Sequence, residues 1–168
     1  MTIPKTESEV SACFCLTIKQ PFTSAVVEEE KRWENQRYPL SRYVRDGTWV
    51  FLHSSASPWR AKYPSVDERW PNHPPFRSMK CGSILGMVRL DRAVHLTSMS
   101  EEEKADPWVT TDDKRVWKWE IGDVLAFESP FEYKRKPGVV DSMVRLRLDL
   151  PDLYSQLLAR ISANKGRT

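Results

Sequence analysis

Apolar and polar residues alternate along this chain in short runs, so the pattern predicts mostly strands. Residues 13–18 alternate loosely and read as a first strand. Pro21 opens a helix at a position where its missing N–H is tolerated, and Phe22, Ala25 and Val26 give that helix an inner face. Glu28, Glu29, Glu30 and Lys31 form its wet end. The turn dipeptide Asp46-Gly47 leads into a strand over 48–53. Residues 84–96 read as one long strand with a bend at Gly86. The S-x-x-E spacing lets Ser98 or Ser100 cap a short acidic helix. Residues 116–120 and 124–127 are predicted as two strands split by Gly122-Asp123. Over 143–148 the alternation puts Val144, Leu146 and Leu148 inside and Arg145 and Arg147 outside. Pro151 starts a terminal helix with Leu153, Leu157, Leu158 and Ile161 on one face.

These elements fit one domain, as a chain of 168 residues would suggest. Residues 1–11 are polar and aperiodic and are expected to be a mobile tail, with the domain over 12–163 and a basic tail at 164–168. Residues 57–80 hold five of the twelve prolines, with Trp59, Tyr63, Trp70 and Phe76 between them. This reads as an irregular insertion carrying a helical turn near 66–70. No βαβ rhythm appears, so the predicted class is α+β: a mixed β-barrel of short strands with peripheral helices.

Composition narrows the function classes. Lys plus Arg number 26 and Asp plus Glu 23, a net charge of +3, so a basic surface has to come from local clustering. There are six glycines, and no G-x-G-x-x-G or G-x-x-x-x-G-K-[ST] occurs, which excludes Rossmann enzymes, P-loop NTPases and kinases. No apolar run approaches the roughly 18 residues of a membrane span, and the first residues lack a signal peptide's apolar core. The three cysteines, Cys13, Cys15 and Cys81, cannot make a disulfide framework. A reducing intracellular setting, cytoplasmic or nuclear, is expected, with no membrane partner. The C-x-C pair lacks zinc-knuckle spacing, so neither metal nor cofactor is expected. A monomer is expected.

The densest polar constellation is Lys31-Arg32-Trp33-Glu34-Asn35-Gln36-Arg37-Tyr38. Such a run is often a solvated face; as the rim of a cleft it offers both charges and several donors to one polar ligand. A second patch, Lys134-Arg135-Lys136, lies between Tyr133 and Pro137-Gly138. It is either a solubilising loop or a grip on phosphates beside a stacked base. Arg145 and Arg147 extend that patch or lie outward on an exposed strand. Trp33 and Trp59 sit in polar surroundings and are stacking candidates, whereas Trp119 fills the core. His53 precedes Ser54-Ser55 at a polar strand end.

Residues 15–38 resemble the opening of ASCH (activating signal cointegrator homology) domains, which have a PUA-like β-barrel. Gln20-Pro21-Phe22 matches the family's helix start, and Lys31 and Glu34 match the lysine and glutamate of its G-x-K-x-x-E-x-R motif. Glu29 replaces the motif glycine; the motif arginine falls on Gln36, with Arg37 one position later. Residues 48–59 resemble the next family strand, 81–91 its G-x-I-L/V-G-x-V-x-L strand, and Trp119, Ser129-Pro130-Phe131 and 134–138 its late tryptophan and P-x-x-x-K-G loop. The likeness spans about 13–148.

The resemblance implies a cleft lined by Lys31, Glu34 and the His53-Ser54-Ser55 turn, with the 134–136 loop nearby, and a nucleic-acid-binding role, often coactivator- or translation-linked. On that reading Lys31, Glu34 and Arg37 recognise a base edge. Lys19, Arg32, Lys134, Arg135 and Lys136 hold the backbone, and Trp33, Trp59 and Tyr133 stack. RNA is the expected partner, with DNA as the other nucleic acid. One bacterial branch that resembles the family hydrolyses an acetylated cytidine. It uses the motif lysine and a threonine where this chain has Glu34, so the alternative is an amidohydrolase acting on an acylated nucleoside such as N4-acetylcytidine, through Lys31 and Glu34. A third reading is a protein-interaction module using the 57–80 insertion.

Overall fold

The computed structural model describes residues 2–57, 64–136 and 141–164. Among these residues six strands form one mixed sheet: β1 (Phe14–Ile18), β2 (Trp33–Gln36), β3 (Thr48–Ser54), β4 (Ser83–His95), β5 (Trp117–Glu132) and β6 (Met143–Arg145). Their order is β2-β5-β4-β3-β1-β6. Only β1 and β3 run parallel; the other pairs are antiparallel. The helices are α1 (Glu7–Ala12), α2 (Phe22–Val27), α3 (Pro64–Arg69), α4 (Glu101–Lys104) and α5 (Leu153–Asn164). Among the described residues no helix is long and apolar enough to cross a membrane.

The sheet curls into a half-barrel. Its end strands, β2 and β6, are farthest apart in strand order. Ser142, just before β6, nevertheless donates from Oγ to Gln36 Oε1 on β2 at 2.8 Å. β4 and β5 pair along nearly their whole length, with register shifts near Gly86, Leu90 and Arg92. Such irregularities increase twist and bend a sheet. Period-two alternation then sorts side chains into two cores. Leu16, Leu52, Val50, Val88, Leu90 and Trp119 fill the concave side. Cys15, Phe51, Ile84 and Met87 lie on the convex side, covered by Val10 of α1 and by Leu153, Leu157 and Ile161 of α5. Every residue of β3 is buried, as expected of a strand sandwiched on both faces.

Four sequence expectations need correction. Residues 7–11 of the expected mobile tail belong to α1. Thr6 and Glu9 make a reciprocal capping box, and Val10 is fully buried, so both a cap and a hydrophobic anchor hold the segment. The two strands expected around Gly122-Asp123 are one, β5. Gly122 serves close approach rather than a turn: a Cβ there would stand 2.3 Å from Asp91 Oδ2. Arg89 holds that carboxylate together with Asp123. The last strand stops at Arg145, and its phase differs from the expectation. Met143 and Leu146 are buried while Leu148 is 81% exposed. As an edge strand it has only three paired residues, and the chain then leaves the sheet for α5. Lys31, expected at the wet end of α2, is buried, because the chain turns there into β2.

Other expectations match the observed elements. Pro21 precedes α2, Ser100 rather than Ser98 caps α4 with Glu103, and the helical turn near 66–70 is the end of α3. Trp70 and Met79 of the insertion pack on Ala25 and Trp108. Trp59, Tyr63, Pro137-Gly138 and the basic residues of the tail beyond Asn164 lie outside the described residues.

Candidate functional site: a polar cleft at the seam of the half-barrel

The turn that ends α2 delivers Lys31 to the site. Glu29 N–H donates to Val26 O at 3.1 Å and Glu30 N–H to Ala25 O at 2.9 Å, the two crossed bonds of a Schellman cap. The cap needs one left-handed residue. Glu29 supplies it at φ 60, in a region that glycine enters at little cost. Arg32 O then accepts from Ile121 N–H at 2.8 Å, tacking the chain to β5 before β2 begins. A crevice of about 310 Å³ opens beside this turn, lined by Val26, Glu29, Lys31, Arg32, Ile121 and Gly122.

Lys31 and Glu34 form a buried ion pair. They are 3% and 8% exposed, and Lys31 Nζ donates to Glu34 Oε2 at 2.7 Å. A buried pair persists only if its remaining hydrogen-bonding capacity is met. Lys31 Nζ also donates to Trp33 O, and Gln36 Nε2 donates to Glu34 Oε1 at 3.2 Å. Gln36 in turn receives Ser142 Oγ–H. The result is a chain Lys31–Glu34–Gln36–Ser142 across the seam between the two end strands. Glu34 lies opposite Trp119, and cross-strand partners share a face, so this chain runs along the concave side. No spare hydroxyl stands at the Glu34 position, and Thr23 Oγ1 is spent on Ile18 O at 2.8 Å.

His53 belongs to the opposite face, although the family resemblance places it in the same cleft. It pairs with Thr17 on β1 and packs edge-on against Tyr133 in the convex core. Its Nε2 lies 2.9 Å from Tyr133 O, which only accepts, so Nε2 carries the proton. Nδ1 then accepts from Thr17 Oγ1 at 3.1 Å. Burial, the largest influence, pushes the His53 pKa down to about 4, so the ring is neutral near pH 7. Ser54 Oγ donates to Ser83 O and Ser55 N–H to Ile18 O. Both serine contacts serve the sheet.

Among the cations expected at the site, Lys19, Arg32, Arg37, Lys134 and Lys136 are exposed. None of them is in an ion pair among the described residues. Arg135 donates to Asp141 O, next to Ser142. The two described ends of the basic loop are thereby joined, and the far end touches Gln36. Arg145 instead donates to Ala12 O, away from the patch, whereas Arg147, paired with Asp149, also donates to Lys134 O at 3.3 Å and so adjoins it. Lys134 also borders a second groove, of about 560 Å³, with Lys80, Cys81, Gly82, Ser83 and Ser129. Two of the three expected stacking rings are buried: Trp33 beside Met99 and Val109, and Tyr133, 2% exposed. The third, Trp59, is the one outside the described residues.

Sequence reasoning missed Lys118 and the Tyr38–Arg42 pair. Lys118 is fully buried, donating to Arg115 O at 2.6 Å and Thr110 Oγ1 at 3.4 Å. Desolvation holds its pKa below the usual lysine range. It sits opposite Asn35, which bonds Trp108 O and Thr110 N–H, and together they pin residues 108–115 over β2. A lysine within an alternating strand gave no sign of burial. Arg42 lies over the Tyr38 ring, 3.9 Å from its centroid; only the i, i+4 spacing could have signalled that pair. Among the described residues no cluster of three or more His, Cys, Asp or Glu side chains is placed to hold a metal ion.

The molecule is thus an α+β protein: a mixed sheet curled into a half-barrel, with a polar seam on its concave side. This fold is similar to that of a solved ASCH protein. A serine-to-alanine variant of the ASCH protein of Zymomonas mobilis superposes with a TM-score of 0.52 at 13% identity, over 94% of this chain and 97% of that one. The unsubstituted protein gives 0.48 at 13% identity, over 87% and 92%. At such identity the likeness is one of fold. No family model matches the sequence, and no curated protein matches it.

Proposed function

We propose that this protein is a nucleic-acid-binding module, with RNA as the ligand. The Lys31–Glu34–Gln36 cleft takes a polar base edge, and the cations around it, Lys19, Arg32, Arg37, Lys134, Arg135 and Lys136, hold the backbone. The observation that carries this reading is the Gln36–Ser142 hydrogen bond. It ties the end of a loop with three consecutive cations to the Lys31–Glu34–Gln36 chain, which holds both charges and an amide. Unpaired RNA bases expose hydrogen-bonding edges of the kind such a cleft can read, and phosphates supply the charge that exposed lysines complement. A module of this kind would serve RNA metabolism or a coactivator-type assembly.

Fluorescence anisotropy tests the reading, with single-stranded RNA, duplex RNA and duplex DNA at low and moderate salt. Single-stranded RNA is expected to bind most tightly, with affinity falling as salt rises. Lys134→Glu with Lys136→Glu should weaken binding and flatten the salt slope by about two phosphate contacts. An unchanged slope removes the loop from the interface. No binding to any of the three ligands overturns the reading.

A further inference from the structure

We propose that Tyr38 and Arg42, just beyond the Lys31–Glu34–Gln36 seam in the chain, form a stacking platform for an unpaired nucleobase. The proposal rests on the nucleic-acid reading above and assigns the stacking contact to residues outside the expected set. Of the large hydrophobic side chains among the described residues, only Tyr38 and Leu148 are exposed, and Tyr38, at 36%, is the aromatic one. The Arg42 guanidinium carbon stands 3.9 Å from its ring centroid and 5.8 Å from that of Tyr43. Aromatic rings and guanidinium planes are the two protein surfaces on which bases stack.

The platform is built on fixed backbone. Trp119 Nε1 donates to Tyr38 O at 3.0 Å, anchoring the residue to the core. Pro39 leads into a single 3-10 turn, Leu40–Arg42, whose Leu40 is fully buried. Tyr43, next in the chain, packs edge-on against Trp119 at 5.8 Å. The backbone that carries the ring is therefore fixed, while the ring itself, covered by Arg42 on one face, remains exposed to solvent. Gln36 of the cleft lies two residues upstream. Arg37, Arg42 and Arg45 of the same segment are exposed, and none makes an ion pair among the described residues. Three exposed arginines in this segment, against the one Asp141 carboxylate that faces the Tyr43 hydroxyl, favour the phosphates flanking a stacked base.

The test compares wild type, Tyr38→Ala, Tyr38→Leu and Tyr38→Phe by anisotropy. The probes are a single-stranded RNA and an abasic oligonucleotide of the same length, and each variant's thermal unfolding is recorded in parallel. Tyr38→Phe keeps the ring and is expected to bind as wild type does. Tyr38→Ala and Tyr38→Leu should lose about tenfold in affinity for RNA and little for the abasic strand, with unfolding nearly unchanged. Equal losses for both strands, or Tyr38→Leu binding like wild type, overturn stacking while leaving the cleft reading intact. Failure of wild type to bind RNA at all overturns the functional reading, and the platform with it.

Discussion

Gln36 and Ser142 are 106 positions apart in sequence, yet their side chains meet at 2.8 Å. Gln36 belongs to one end strand of the sheet and Ser142 immediately precedes the other. The bond links the two ends of the half-barrel beside the ion pair, and it also brings the described end of the basic loop to Gln36. Removing it by Ser142→Ala is expected to cost about 1 kcal/mol, the usual net value of one hydrogen bond. A double-mutant cycle with Gln36→Ala, read by urea unfolding, should return a favourable coupling of similar size. A coupling near zero would show that the seam is held by other contacts.

The Lys31–Glu34 pair is costly to break from one side. Lys31→Met leaves Glu34 buried without its cation and should destabilise by about 3–5 kcal/mol. The double variant Lys31→Met with Glu34→Leu removes both charges and should recover much of that loss. Chemical denaturation of the three proteins checks the order. A double variant as unstable as the single one would mean that the packing of the lysine stem, rather than unpaired charge, dominates.

Glu29 occupies the left-handed position of the Schellman cap. Glu29→Gly should therefore stabilise the fold by about 1 kcal/mol, because the cost of a side chain at positive φ disappears. Glu29→Val should destabilise it, since branching at Cβ worsens the same clash. Thermal unfolding distinguishes the two, and equal melting temperatures would count against the strain argument.

His53 makes stability depend on acid. Its pKa is about 4 in the folded protein and 6.5 when free of the fold. Between those values the unfolded chain binds the proton more readily, so stability is full above pH 6.5 and falls as pH drops towards 4. The loss by pH 5 should be on the order of 2 kcal/mol. His53→Gln should flatten this part of the pH profile. His73 acts in a different window. Its pKa is raised, first by its bond to Pro74 O and then by Asp67. Its contribution is therefore complete below pH 6.5 and is lost as pH rises through the folded value.

The three thiols should differ sharply in reactivity. Cys13 and Cys15 are buried, and desolvation raises their pKa values to about 11 and 12. Cys81 is exposed. A thiol reagent near neutral pH should titrate one group quickly in the native protein and all three after denaturation. Rapid reaction of two or more thiols in the native state would contradict the packing of α1 and β1 against α5.

Much of the secondary structure was legible in the chain. The apolar period around Phe22, the capping spacing from Ser100 and the apolar run 48–53 each lead to an observed element, because the signals are local. Expectations failed where distant residues decided the outcome. Gly122-Asp123 has turn chemistry, but an aspartate from the neighbouring strand fills the space beside the glycine, so the strand continues. The alternation over 143–148 was real, yet β6 pairs with only one neighbour and ends before that phase can be used. The segment 1–11 lacked periodicity because its anchors, Ile3, Pro4 and Val10, are irregularly spaced.

The sequence by itself determined the class of fold and the chemistry available for a site. It placed Lys31, Glu34 and Gln36 in one short segment and three cations in another, and its family likeness set the two side by side. Only the tertiary structure decided which of these side chains meet. It put His53 on the convex face and the Lys31–Glu34 pair on the concave one, because residues of neighbouring strands alternate between faces whatever their chemistry. It buried Trp33 and Tyr133, because large rings gain most from leaving water, and it left Tyr38 open beside Arg42. Local pattern carries the period of an element, whereas the facing of one element against another depends on register and closure, which form only when the whole sheet assembles.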